Sequence, residues 1–151
     1  MKTIALLCTM ALAVAASAGP VRPPADALLE KYFVIQKGLA SDSLNAVAAS
    51  AADIVKISRE AAAKEPKAKA QLLAVSAAAS KLNAADMKSA RNGFGELSGS
   101  LIDYLKASGA NRNPPYQWYC PMMKKSWLQP DKAVRNPYYG SSMPKCGELV
   151  P

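Results

Sequence analysis

The sequence predicts an all-α fold, an up-down four-helix bundle closed by an irregular C-terminal cap. Three observations lead there. Between residues 24 and 108, four stretches repeat apolar side chains at helical spacing. The breaks between them are short, which favours antiparallel neighbours. From Gly109 onward the composition changes: this part holds seven of the eleven prolines, both tryptophans and four of the six tyrosines.

In the first helix Leu28, Tyr32, Ile35 and Leu39 form the stripe, widened by Leu29 and Phe33, with Pro23 and Pro24 just outside its start. Ser41-Asp42-Ser43 reads as a break and an N-cap, because side-chain oxygens there can take up orphan backbone N–H groups. The second helix carries Leu44, Val47, Ala48, Ala51, Val55 and Ser58 on one face. Glu65-Pro66 marks the next boundary, with proline suited to a first turn. The third helix carries Leu72, Val75, Ala79 and Leu82, and Asn83 to Asp86 supplies the next turn and cap. The fourth has the cleanest pattern, with Met87, Ala90, Phe94, Leu97, Leu101 and Tyr104. Gly93 and Gly95 each weaken it by roughly 1 kcal/mol relative to alanine, so a close contact is expected to compensate.

The chain has 151 residues, one domain's worth. Residues 1–18 read as a signal peptide: Lys2 is followed by an apolar run too short to span a bilayer, then by Ala16-Ser17-Ala18 as a cleavage pattern. Residues 19–151 are then a single exported domain, with the helical bundle at about 24–108 and the cap at 109–151. The expected location is periplasmic or secreted, with no stable membrane insertion. The formal charge of +8 would suggest nucleic acid in a cytosolic protein, but export and the scatter of the basic residues argue for a solvated basic surface instead.

The cap is where chemistry is expected. Short extended pieces at Tyr116–Tyr119 and Glu148–Val150 are candidates for a two-stranded pairing. Cys120-Pro121-Met122-Met123 stands near its start and Met143-Pro144-Lys145-Cys146 near its end. One reading of this sulfur is a Cys120–Cys146 disulfide, favoured by an oxidising compartment and stabilising by roughly 3 kcal/mol. The other is a soft-metal site, since thiolates and thioethers select Cu(I), and by analogy Ag(I), over hard cations. Cys120, Met122, Met143 and Cys146 are the candidate ligands. Met143 and Cys146 can chelate within one turn, whereas Cys120 and Met122 need a turn at Pro121 to converge. Zinc wants four cysteine, histidine or carboxylate donors, and the cap has two cysteines and the chain no histidine. An enzyme is not expected. A cysteine nucleophile would lack a histidine base, and there is no phosphate-binding loop, Cys-x-x-Cys pair or haem attachment motif.

The run Tyr119-Cys120-Pro121-Met122, Trp127-Leu128, Arg135-Asn136-Pro137-Tyr138-Tyr139-Gly140, Met143 and Cys146-Gly147 resembles the signature of an uncharacterised exported domain family. That family is a domain of unknown function, found free-standing and also fused to the periplasmic adaptor subunits of CusB-type heavy-metal efflux pumps. The resemblance covers the tail closely and the helical half in pattern only. It implies a Cu(I)- or Ag(I)-binding protein or carrier associated with heavy-metal efflux, with such an adaptor as partner. Many members have a histidine before the first cysteine, where Tyr119 stands here, and a longer stretch before Trp127. The alternative is a metal-free exported module stapled by Cys120–Cys146 that docks on a protein. Trp127, Tyr138 and Tyr139 are its candidate partner-binding residues, although their expected role is to cover the open end of the bundle.

Overall fold

A computed structural model describes residues 23–109 and 114–151; the expected signal peptide lies outside them. Four helices come first: α1 (Pro24–Ala40), α2 (Val47–Lys64), α3 (Lys69–Lys81) and α4 (Met87–Ser108). Each packs on the next, and α1 also meets α4, which closes the four into a bundle. The stripes bury largely as their spacing requires. Leu28, Tyr32, Ile35 and Leu39 of α1 and Phe94, Leu97 and Tyr104 of α4 have no exposed surface. On α2, Ile54 and Ala61 carry the buried face onward, while Val55 is only partly covered.

The boundaries follow local chemistry, with one exception. Pro24 takes the first position of α1, where a missing N–H costs nothing. Pro66–Ala68 form a 3₁₀ turn ahead of α3, and the Asp86 carboxylate caps α4 by accepting from Ser89 N–H at 2.9 Å. Gly109 ends α4 with φ at 57°. The exception is Ser41-Asp42-Ser43, which does not cap α2. That helix begins after Ala46, itself in a left-handed conformation with no side-chain cap. Asp42 is used instead in a long-range contact with Arg91 and Ser141.

The C-terminal part corrects the predicted fold class. It folds as a three-stranded antiparallel sheet, β1 (Tyr116–Cys120), β2 (Lys125–Gln129) and β3 (Glu148–Leu149), in the order β2-β1-β3. The chain is therefore mixed α and β, not all-α. The pairing of β1 with β3 is the expected one, with Trp118 opposite Leu149 and Tyr119 opposite Glu148. The hairpin of β1 with β2 is the element that helical periodicity and proline content did not predict. It sets Trp118 opposite Trp127 and Cys120 opposite Lys125.

The sheet lies against the seam between α1 and α4 and not over the bundle's end: β2 packs on α4 and on α1. Tyr32, in the middle of α1, is the joint. Its hydroxyl accepts from Leu128 N–H at 3.1 Å and shares a hydrogen bond of 2.7 Å with the Ser98 hydroxyl of α4. Burial pushes the Tyr32 hydroxyl well above the ordinary tyrosine range, so it serves as a neutral hydrogen-bonding group. Two of the three glycines of α4, Gly93 and Gly95, admit neighbours. A Cβ at Gly93 would press on the Leu82 backbone at 3.0 Å, and one at Gly95 would strike the Lys125 side chain. That side chain crosses the helix to Glu96 at 3.0 Å. Among the described residues no helix is long and apolar enough to cross a membrane.

Candidate functional site

Cys120 ends β1, the central strand, and has no exposed surface. Cys146 lies just before β3 and is half-buried. The antiparallel pairing of β1 with β3 carries Cys146 toward the end of β1 where Cys120 stands, and Asn136 Nδ2 bonds to both residues, to the Cys146 carbonyl and to the Cys120 sulfur. Both cysteines are free thiols here. The Cys146 thiol is pushed above its ordinary value, first by desolvation, then by charge repulsion from Cys120 and by the hydrogen bond to it. Two sulfurs far apart in sequence thus share one site.

Asn136 holds them there. It is fully buried, and its Nδ2 donates to the Cys146 carbonyl at 2.6 Å and to Cys120 Sγ at 3.4 Å. Its Oδ1 accepts from Tyr138 N–H at 2.8 Å and Tyr139 N–H at 3.3 Å. Its backbone N–H donates to the Pro144 carbonyl at 3.0 Å. A single side chain therefore satisfies groups from three segments and fixes the distance between the two cysteine-bearing ones. The sequence showed Asn136 only as one residue of the run Arg135 to Gly140. The stronger signal would have been an asparagine in the company of buried aromatic residues, because a buried amide needs several partners.

The methionines divide. Met143 is half-buried and shares a turn with Cys146, whose N–H donates to the Met143 carbonyl at 3.2 Å. Met122 sits in the four-residue turn between β1 and β2, 64% exposed. The turn at Pro121 exists, but it directs Met122 to solvent, away from the buried sulfur of Cys120. Met123 packs against the core instead. Lys125 lies opposite Cys120 in the hairpin yet pairs with Glu96. Lys124 occupies the left-handed position of the turn, with φ at 53°.

The aromatic candidates are mostly internal. Trp127 has no exposed surface and its Nε1–H donates to Gln129 Oε1 at 3.1 Å. Tyr138 is buried, with its hydroxyl donating to the Ser126 carbonyl at 2.6 Å. Only Tyr139 is part-exposed, so Trp127 and Tyr138 offer no ring to a partner and act as covering residues. They belong to a run of touching rings, from Tyr32 through Phe94, Tyr138 and Trp127 to Trp118, with centroids 5.0 to 6.1 Å apart. This run ties the sheet to the bundle. Such pairs add about 0.5–1.5 kcal/mol each beyond area burial.

A second clamp holds the loop that bears Tyr138 and Tyr139. Arg91 of α4 donates to the Pro137 carbonyl at 3.0 Å and the Leu39 carbonyl at 3.1 Å, and pairs with Asp42. Asp42 in turn accepts from Ser141 N–H at 3.0 Å. Hydrogen bonds from Ser141, then from Arg91, hold the Asp42 carboxyl at about 2. Gly140, with φ at 55°, fits between the two charged groups where a Cβ would collide with both.

Chemically, the arrangement offers two thiols on segments bridged by Asn136 and one thioether in the turn of the more exposed thiol. Among the described residues no three histidine, cysteine, aspartate or glutamate side chains converge, so a four-donor zinc geometry does not fit. A low-coordinate soft ion needs fewer donors, and the sulfur present suits it. Comparison with protein-family models, with curated proteins and with solved structures finds no match to this chain.

Proposed function

We propose that this protein is an exported binding protein or carrier for a soft monovalent ion, Cu(I) or Ag(I). Cys120 and Cys146 act as thiolate ligands and Met143 as a thioether. The single observation that carries this reading is that Asn136 bridges two cysteines without a disulfide between them, Cys120 at the end of the central strand and Cys146 just before β3. Thiolate and thioether donors select Cu(I) and Ag(I) over hard cations, and a two- or three-coordinate site suffices for them. Met122, exposed beside Cys120, serves as an outer thioether that exchanges ions and does not retain them. The resemblance of the tail to the domain attached to heavy-metal efflux adaptors supports such an adaptor as the recipient, and the leader-like segment supports a periplasmic setting.

The test is Cu(I) titration of reduced protein under anaerobic conditions against a competing chelator. One ion retained by the wild type, and lost in both Cys120→Ser and Cys146→Ser, is the expected result. No retention by reduced, folded protein would sink the carrier reading. It would leave a module stapled by a disulfide between the same two residues.

A further inference from the structure

The two sulfurs are not equivalent. Cys120 ends the central strand, paired on one side with β2 and on the other with β3, and has no exposed surface. Asn136 Nδ2–H covers its sulfur from within the cap. Cys146 sits in a turn before the two-residue edge strand, half-buried, with Met143 three residues back in the same turn. An ion delivered from outside can touch Cys146 and Met143 while the sheet is intact. It can reach Cys120 only from Cys146 or after β1 loses a neighbour.

We infer that the site loads in order: Cys146, with Met143, receives the ion, and Cys120 then locks it. This rests on the soft-metal reading above and assigns roles within that site. The arriving ion, held by a carrier ligand, forms a bond to Cys146 Sγ as the thiol proton leaves to solvent. A bond to Cys120 Sγ follows with loss of its proton, and the carrier ligand departs. No electron is transferred, and the ion stays monovalent throughout. Asn136 acts as a positioning residue. Its donated hydrogen bonds, to the Cys120 sulfur and to the Cys146 carbonyl, hold the two cysteine-bearing segments together while the second bond forms.

Two measurements on the full chain separate this order from the metal reading itself. In reduced, metal-free protein, brief treatment with iodoacetamide followed by mass mapping should modify Cys146 at least about tenfold faster than Cys120, because a buried strand residue reacts only through local opening. Equal rates, or Cys120 first, would overturn the order whatever the protein binds. In stopped-flow loading with Ag(I) from a weak chelator, Cys146→Ser should load at least about tenfold more slowly than wild type. Cys120→Ser should load within about twofold of it but release the ion at least about tenfold faster, since loss of a retaining contact acts mainly on the off-rate. Slow loading in Cys120→Ser with normal loading in Cys146→Ser would contradict the proposal. A wild type that retains no Ag(I), yet labels in the expected order, would overturn the metal reading and the loading route together.

Discussion

Truncation of Asn136 to alanine tests the clamp on which the candidate site depends. The substitution removes acceptance from Tyr138 N–H at 2.8 Å and Tyr139 N–H at 3.3 Å, and donation to the Cys146 carbonyl at 2.6 Å and to Cys120 Sγ. The Tyr138 N–H is buried and has no other acceptor to turn to, so its full desolvation penalty of about 1–3 kcal/mol is incurred. The Cys146 carbonyl belongs to a half-buried residue, and water can recover part of its loss. The sulfur contact is long and adds little. The sum is about 2–5 kcal/mol, a large share of the 5–15 kcal/mol typical of a domain. The assay is urea unfolding in reductant, followed by the fluorescence of Trp118 and Trp127, both in the sheet. With a slope of about 1–3 kcal/mol per molar urea, the midpoint should fall by about 0.7–5 M. Asn136→Asp sharpens the test. It keeps the acceptor for Tyr138 but presents an ionised oxygen to the Cys146 carbonyl at neutral pH. Protonation of that carboxyl on acidification restores a donor, so part of the loss should return. A loss under about 1 kcal/mol for the alanine variant, or no recovery for the aspartate variant, would refute the clamp.

Three further outcomes follow from contacts described above. Tyr32→Phe leaves the buried Leu128 N–H without its acceptor and should cost about 1–3 kcal/mol in the same urea assay, with the helical circular dichroism of the folded state unchanged. Asp42 ionises more readily in the folded state, so its contribution is present above the ordinary carboxylate value of 3.8 and is lost as the pH falls toward about 2. Acid unfolding of Asp42→Asn should therefore lack that part of the pH dependence, and an acid limb identical to wild type would show that Asp42 does not hold the loop. Met122→Leu should leave equilibrium Cu(I) affinity near wild type because Met122 points to solvent, whereas Met143→Leu should weaken it; competition titration distinguishes the two.

The helices were legible because each buries one stripe, and a one-sided helix writes its period into the sequence. The pairing of β1 with β3 was legible for a similar reason, since the extended pieces flank the proline-rich turns. Strand β2 was not. Trp127, Leu128 and Gln129 are consecutive and all buried, and even the free edge of the strand is covered, where Leu128 N–H donates to the Tyr32 hydroxyl. A strand covered on both faces loses the two-residue alternation by which strands are recognised. The four candidate sulfurs could be named from the sequence, but their ranking could not. Whether Met122 turns inward depends on a hairpin whose second strand had no signature. Asn136 was legible only as part of the tail run, and Asp42 as a cap former by residue type. Apart from the local turn with Tyr138, their partners lie on other segments, Cys120 and Cys146 for one and Arg91 and Ser141 for the other, and local patterns do not encode such partners.

The most direct measurement of the central claim is a count of free thiols in protein taken from its native compartment, repeated after anaerobic reduction and Cu(I) titration against a chelator. Two free thiols and one Cu(I) per chain, lost when either cysteine becomes serine, are the predicted result. No free thiols before reduction and no Cu(I) retained after it would contradict the carrier reading and assign Cys120 and Cys146 to a structural disulfide.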